Sequence, residues 1–236
     1  MLSSSLLSLS LLTLAATLPP MFGPPTLCVP LDIGTAKSLP FGEGAFERHP
    51  DYRIEGLSSD TLAILAASSD AEVHLETLRR ASAYLMSEGK AERKKRQSAA
   101  SIAAALHRGL RSRALDVLSD PSNTQQQQSL AWFDLGLFEL DMKILGMPQQ
   151  GRTWRYLEQA GRLQSDDPTM STLLFAAGFS QRKSEWWKPH LSRALARRES
   201  LQPRTRRNLL PLTGRFLQAK DMESLLRDYG PKAAKK

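Results

Sequence analysis

The stretch SLAWFDLGLFELDMKILGMPQQGRTWRYLEQAGRLQSDDPTMSTLLFAAGFSQRKSEWWKPHLSRALARRE, residues 129–199, decides the fold. Its large residues fall into four segments separated by Gly, Pro and polar clusters. Trp132, Phe133 and Phe138 lie in the first, Trp154 and Tyr156 in the second, Phe175 and Phe179 in the third, and Trp186 and Trp187 open the fourth. All four tryptophans of the chain are here. A buried aromatic removes a large apolar area from water, so this concentration predicts two consecutive helical hairpins on which the main core condenses.

The rest of the chain agrees with a helical body. With 236 residues, 41% of them hydrophobic and 24% charged, the composition is that of a globular protein and not of a disordered chain. Period-two runs of β-branched residues are scarce beyond residue 50, which predicts an all-α class. Charge is uneven: residues 1–88 hold 5 Lys/Arg against 10 Asp/Glu, and residues 89–236 hold 27 against 14. The basic excess is scattered over several helices, as on a solvated surface, although anionic partners are compatible with it. The single Cys28 rules out an intramolecular disulfide and a cysteine metal site. Pro25-Thr26-Leu27 before it does not match a lipobox.

Four segments follow from the pattern along the chain. Residues 2–18, LSSSLLSLSLLTLAATL, are apolar, Ser-rich and too short for a comfortable membrane span, so residues 1–20 read as a signal peptide or hydrophobic N-terminal segment. No Lys or Arg precedes Lys37, which leaves a misassigned start or an uncleaved anchor as alternatives. Residues 21–56 are interrupted by Pro and Gly at short intervals and form an extended arm. Val29, Leu31, Ile33, Leu39 and Phe41 let this arm lie along a groove of its own chain, or dock on another. Residues 57–230 form the α-helical domain and 231–236 a basic tail.

Within the helical domain, Ser58 or Ser59 is expected to cap a helix over 60–67, and Ser68 or Ser69 one over 70–87. The second places Ala71, Leu75, Leu78, Ser82 and Leu85 on one stripe, with Glu72 and Glu76 spaced to meet Arg79 and Arg80. The run KAERKKRQ, residues 90–97, reads as a solvated start to a helix over 98–119, with Ile102, Leu106, Leu110, Ala114 and Leu118 inward and Arg108, Arg111 and Arg113 off that stripe. Further helices are expected over 152–165, 208–219 and 222–229.

A 34-residue period relates Leu157, Ala160 and Leu163 to Leu191, Ala194 and Arg197. Together with Trp132-x-x-Leu135-Gly136, it resembles tetratricopeptide repeats and implies an irregular antiparallel array of helical hairpins. Residues 73–81, VHLETLRRA, and 129–134, SLAWFD, are similar to stretches in uncharacterised exported α-helical proteins of environmental bacteria. That resemblance implies a periplasmic or cell-envelope protein and carries no catalytic residues with it.

No motif nominates a reaction, cofactor or small-molecule substrate. His49, His74, His107 and His190 are dispersed and in no metal-ligand spacing. His74, near Glu72 and Glu76, is the best acid/base candidate, and a structural hydrogen bond is its commoner fate. Asp166-Asp167 before Pro168 reads as a helix stop and cap. The candidate partner-binding set combines aromatic and basic residues: Arg152, Trp154, Arg155, Trp186, Trp187, Lys188 and Arg193. Adjacent tryptophans on a helix point about 100° apart, so both are hard to bury at once. The expectation is a non-enzymatic exported protein that binds a protein or peptide through 129–207. The alternatives are a cytoplasmic nucleic-acid-binding protein with residues 90–113 and 204–207 on phosphates, and an enzyme of unrecognised type.

Overall fold

The computed structural model describes residues 29–42, 48–89, 93–144, 152–179, 184–217 and 219–231. The expected signal segment 1–20, Cys28 and the tail beyond Pro231 lie outside them. The chain is all-α: α1 Leu57–Ala67, α2 Ala71–Gly89, α3 Arg93–Ser119, α4 Gln125–Ile144, α5 Thr153–Leu163, α6 Pro168–Phe179, α7 Ser184–Ala196, α8 Pro203–Leu217 and α9 Met222–Tyr229. Short 3-10 turns, Ile54–Gly56 and Arg198–Ser200, precede α1 and α8. Among the described residues the only β pairing is an isolated bridge between Phe41 and Arg48.

Polar side chains set the helix starts, though not always the expected ones. Asp70, and neither serine before it, caps α2: its Oδ1 accepts from the N–H of Glu72 at 2.9 Å and of Val73 at 3.4 Å. Helix α1 begins at Leu57 behind Gly56, which has no side chain to cap it; Ser58 and Ser59 lie inside its first turn, and Ser59 Oγ donates to the Gly56 carbonyl. Asp167 caps α6 through the Thr169 N–H at 2.8 Å, and Asp221 forms a capping box with Ser224 on α9. Helix α3 starts at Arg93, five residues before its expected start, and Lys95 and Arg96 are exposed on its first turns. Helix α8 begins at Pro203 and runs through Pro211.

Side-chain contacts fix how the helices run. Ser129 donates to the Ala160 carbonyl at 2.9 Å and Thr153 to Glu139 at 2.8 Å, so α4 and α5 are antiparallel. Gly136 allows their close approach, since a Cβ there would come within 2.8 Å of Leu157. Helices α3 and α4 are likewise antiparallel, joined by His107–Glu139 at 3.1 Å and Arg113–Asp134 at 2.6 Å. Helices α2 and α4 run the same way, because His74 meets Asp134 and Ser82 meets Asp141 about two turns further on in each.

The helix at the centre is α2, outside the aromatic stretch that dominates the sequence. It packs on α1, α3, α4 and α6, and from Ala71 to Leu85 every residue but Arg80 is buried. The expected stripe of Ala71, Leu75, Leu78, Ser82 and Leu85 is inside, but so are Glu72, His74, Glu76 and Arg79 on the other faces. The aromatic expectation is corrected accordingly: Trp132, Trp154 and Trp186 pack as partly buried residues against the core, and Trp187 alone among the tryptophans is buried within it.

Burying so many charges is tolerable only because each meets complementary groups. Glu76 accepts from Arg79 Nε and Nη2 and from Arg80 Nε, all at 2.7 Å, and from the Leu31 N–H at 3.1 Å. Glu72 does not join Arg79 or Arg80 as expected. Helix α8 reaches it first, with Arg204 Nε at 2.7 Å and Asn208 Nδ2 at 2.9 Å. Residues 29–42 lie along α2 and α8 in their own chain, with Val29, Leu31, Ile33 and Leu39 buried.

Candidate functional site

Helices α5 and α7 lie side by side. The rings of Trp154 and Trp186, near their N-terminal ends, have centroids 4.9 Å apart, and a Cβ on Gly161, further along α5, would lie 3.5 Å from His190 Cε1. The two helices therefore run in the same direction. Trp186 also packs on His190 at 4.6 Å and lies over Gly178 of α6, where a Cβ would come within 2.1 Å of its ring. Glycine at 178 is what lets this indole settle across the helix below.

The neighbouring indole turns the other way. Trp187 packs on Phe179 at 5.0 Å and on Phe175 and Tyr229 at 5.8 Å, and is 5% exposed. It is therefore removed from the predicted partner-facing set, because its ring fills the space between α6, α7 and α9. Lys188 Nζ lies 5.7 Å from the Trp187 ring centroid. It also lines an open hollow of about 400 Å³ with Pro189, Ser192, Asp228, Tyr229 and Gly230.

What remains outward is Trp154 and Trp186, half-buried, and on the same two helices and just before α5 the exposed Arg155, Arg193 and Arg152. Among the described residues no hydrogen bond or ion pair engages these three arginines. His190 adds no charge at neutral pH: burial, and then the neighbouring Arg193, push its pKa down to about 4. The two helices thus carry a pair of packed, half-buried indoles and exposed guanidinium groups, a combination suited to carboxylates flanked by apolar or aromatic groups.

Of the cations that the phosphate-binding alternative would use, Arg113, Arg204 and Arg207 are engaged by carboxylates, while Lys95, Arg96, Arg108 and Arg111 are exposed. Arg113 donates to Asp134 at 2.6 Å and to the Leu65 carbonyl at 3.0 Å. Arg204 pairs with Glu72 and Asp70, and Arg207 donates to Asp32 at 2.8 Å. Arg197 donates to Asp166 at 2.6 Å.

His74 is fully enclosed, and its partner is neither Glu72 nor Glu76. Nδ1 lies 2.8 and 2.9 Å from the two Asp134 oxygens, and Nε2 lies 2.9 Å from the Ser68 carbonyl, so both ring nitrogens are occupied. This arrangement positions α2 against α4 and leaves no nitrogen for a substrate. Three acids of α4 hold its neighbours, Asp134 and Asp141 on α2 and Glu139 on α3 and α5, and none is nominated by the sequence; their one signal is three carboxylates within an otherwise apolar stretch of α4. Asp141 is the least compensated. Only Ser82 donates to it, at 2.6 Å, its Oδ1 has no partner, and burial raises its pKa to about 7 against the lowering effect of that hydrogen bond.

Among the described residues no group of three His, Cys, Asp or Glu side chains could hold a metal ion, and no helix is long and apolar enough to cross a membrane. Comparison with protein-family models, with curated proteins and with solved structures found no match.

Proposed function

We propose that this chain is a non-enzymatic, exported helical-hairpin protein of tetratricopeptide-like arrangement that binds a protein or peptide partner through the outer face of α5 and α7. One observation carries the reading: the Trp154 and Trp186 rings, with centroids 4.9 Å apart, belong to the same pair of helices as the exposed Arg155 and Arg193, with the exposed Arg152 just before α5, and no acid of the described chain engages these three side chains. Trp and Arg anchors are the residues that concentrate binding energy at protein interfaces. The partner that fits is an acidic peptide with an apolar or aromatic anchor, its carboxylates on Arg152, Arg155 and Arg193 and its anchor on the indoles. Pairing of Arg113, Arg204 and Arg207 with carboxylates leaves the phosphate-binding alternative fewer cations to work with. The Ser-rich apolar leader, residues 2–18, supports export.

The test is selection from a library of acidic, aromatic-containing peptides on the purified chain. A charge-reversed variant, R152E/R155E/R193E, serves as the counter-screen. Enriched peptides are expected to bind the variant at least about tenfold more weakly, a difference of about 1.4 kcal/mol. Equal binding to both would remove the face from consideration. Steeply salt-dependent binding of an oligonucleotide by the unaltered chain would favour the nucleic-acid reading in its place.

A further inference from the structure

The groove between α2 and α8 holds residues 29–42, and its side chains grip that segment by its backbone. Asn208 brackets one residue: its Oδ1 accepts from the Asp32 N–H at 2.8 Å, and its Nδ2 donates to the Asp32 carbonyl at 2.9 Å. Glu76 accepts from the Leu31 N–H at 3.1 Å, and Arg204 donates to the Ile33 carbonyl at 3.3 Å. Further along, Arg80 and Tyr84 each donate at 2.6 Å, to the carbonyls of Leu39 and Pro40. An extended segment outside any sheet must find partners for its N–H and C=O groups, and here helix side chains supply them.

The groove has the attributes of a recognition site as well as of a seam. Its reading groups are held in place before the segment is counted: Glu72 accepts from both Asn208 and Arg204, and Glu76 accepts from both Arg79 and Arg80. Contacts to the backbone are indifferent to the side chains they pass, so selectivity comes from the rest. Val29, Leu31 and Ile33 alternate along the segment and are all buried, while Asp32 between them meets Arg207 at 2.8 Å. Gly34, at φ 61°, then turns the chain, with Asp32 Oδ1 accepting its N–H at 2.9 Å. We propose that the α2–α8 groove is a binding site for extended peptides of the pattern apolar-x-apolar-Asp-apolar-Gly. VPLDIG, residues 29–34, is its occupant in the same chain, and a peptide of that chemistry from another protein exchanges with it. This site shares no residue with the α5–α7 face, so either stands if the other fails.

A tethered occupant competes at an effective concentration on the order of millimolar, so the arm must be weakened before a peptide in solution can enter. The full chain carrying L31A/I33A would be titrated with a fluorescein-labelled peptide of residues 29–42 and read by anisotropy. It is expected to bind at least about tenfold more tightly than the unaltered chain does, to lose that binding when Asn208→Ala is added, and to reject a D32K peptide. Retention of the native helical circular dichroism with no gain in peptide binding would overturn the proposal, as would equal binding of the D32K peptide. A second arrangement covers loss of folding in L31A/I33A: a protease site inserted after Gly44 of the otherwise unaltered chain. After cleavage the labelled peptide should replace the released fragment. Failure to replace it, or a species of two chains holding each other's segments by light scattering, would overturn the peptide site.

Discussion

Helices α2 and α6 are both enclosed along nearly their whole length, by opposite means. In α6, PTMSTLLFAAGF, every residue from Met170 to Gly178 is buried, and the segment is apolar or small throughout. In α2, AEVHLETLRRASAYLMSEG, the enclosed residues include two glutamates, a histidine and an arginine. Burial of α6 follows from transferring apolar surface out of water and needs only neighbours of complementary shape. Burial of α2 needs specific neighbours: Asp134, itself held by Arg113, for His74, α8 for Glu72, and the N-terminal segment for Glu76. The same degree of enclosure is therefore non-directional in one helix and conditional on partners in the other. A fold centred on α2 also ties the arm, α4 and α8 to one another through a single element.

The sharpest way to break this comparison is to remove one member of the α2 network. Glu76→Leu takes away the acceptor shared by Arg79, Arg80 and the Leu31 N–H, and is expected to cost about 3–5 kcal/mol in denaturant unfolding. The double variant E76M/R79M should lose clearly less than this single change, because no buried guanidinium is then left without its carboxylate. If single and double variants are equally unstable, the charges in α2 act as ordinary volume and the contrast with α6 fails. In α6, Leu174→Ala should cost about 3 kcal/mol through lost burial and the cavity left behind. That loss is expected to be the same at low and high salt.

Asp141 sharpens the comparison through pH. Its folded-state pKa is raised from 3.8 to about 7, so the native protein retains a proton that the unfolded chain gives up. The stability this group contributes is complete below about pH 4 and is lost as pH rises to about 7. Asp141→Asn removes the ionisation while keeping the shape. It should raise stability by up to about 4 kcal/mol at pH 8 and leave it unchanged at pH 4, as read from thermal melts across that range. The smallest effect belongs to the outer face. Arg193→Glu, exposed and without an acid partner among the described residues, should alter stability by less than about 0.5 kcal/mol. A larger loss would mean that the face is structural.

Much of the helical layout was legible because it rests on local signals. Helix α9 was expected over 222–229 and spans Met222–Tyr229, with the Asp221 cap ahead of it and Gly230 behind. The inward stripe of α3 was also legible: Leu106, Leu110 and Ala114 are buried. Of the basic members of the candidate set, Arg152, Arg155 and Arg193 are exposed, as charged side chains with no buried partner usually are. Trp187 could not be assigned in the same way. Two adjacent indoles 100° apart are equivalent in one dimension, and the choice of which turns inward was made by Gly178 below Trp186 and by Tyr229 of α9 beside Trp187.

By itself the sequence determined the helical class, the approximate extent of several helices, the Asp167 cap, and the clustering of Trp and Arg residues in the second half of the chain. Those features depend on residues within a few turns of one another, where periodicity and capping operate. Only the tertiary structure decided that α2 is the centre, that Glu72 belongs to Arg204 and not to Arg79, and that Asp32 is bracketed by Asn208. These partners are separated by 132 and 176 residues along the chain. A carboxylate two turns from an arginine shares its face of an isolated helix, as Glu72 and Arg79 do. Which cation it takes in the folded protein depends on which one another element delivers to the same desolvated place, and local spacing holds no record of that competition.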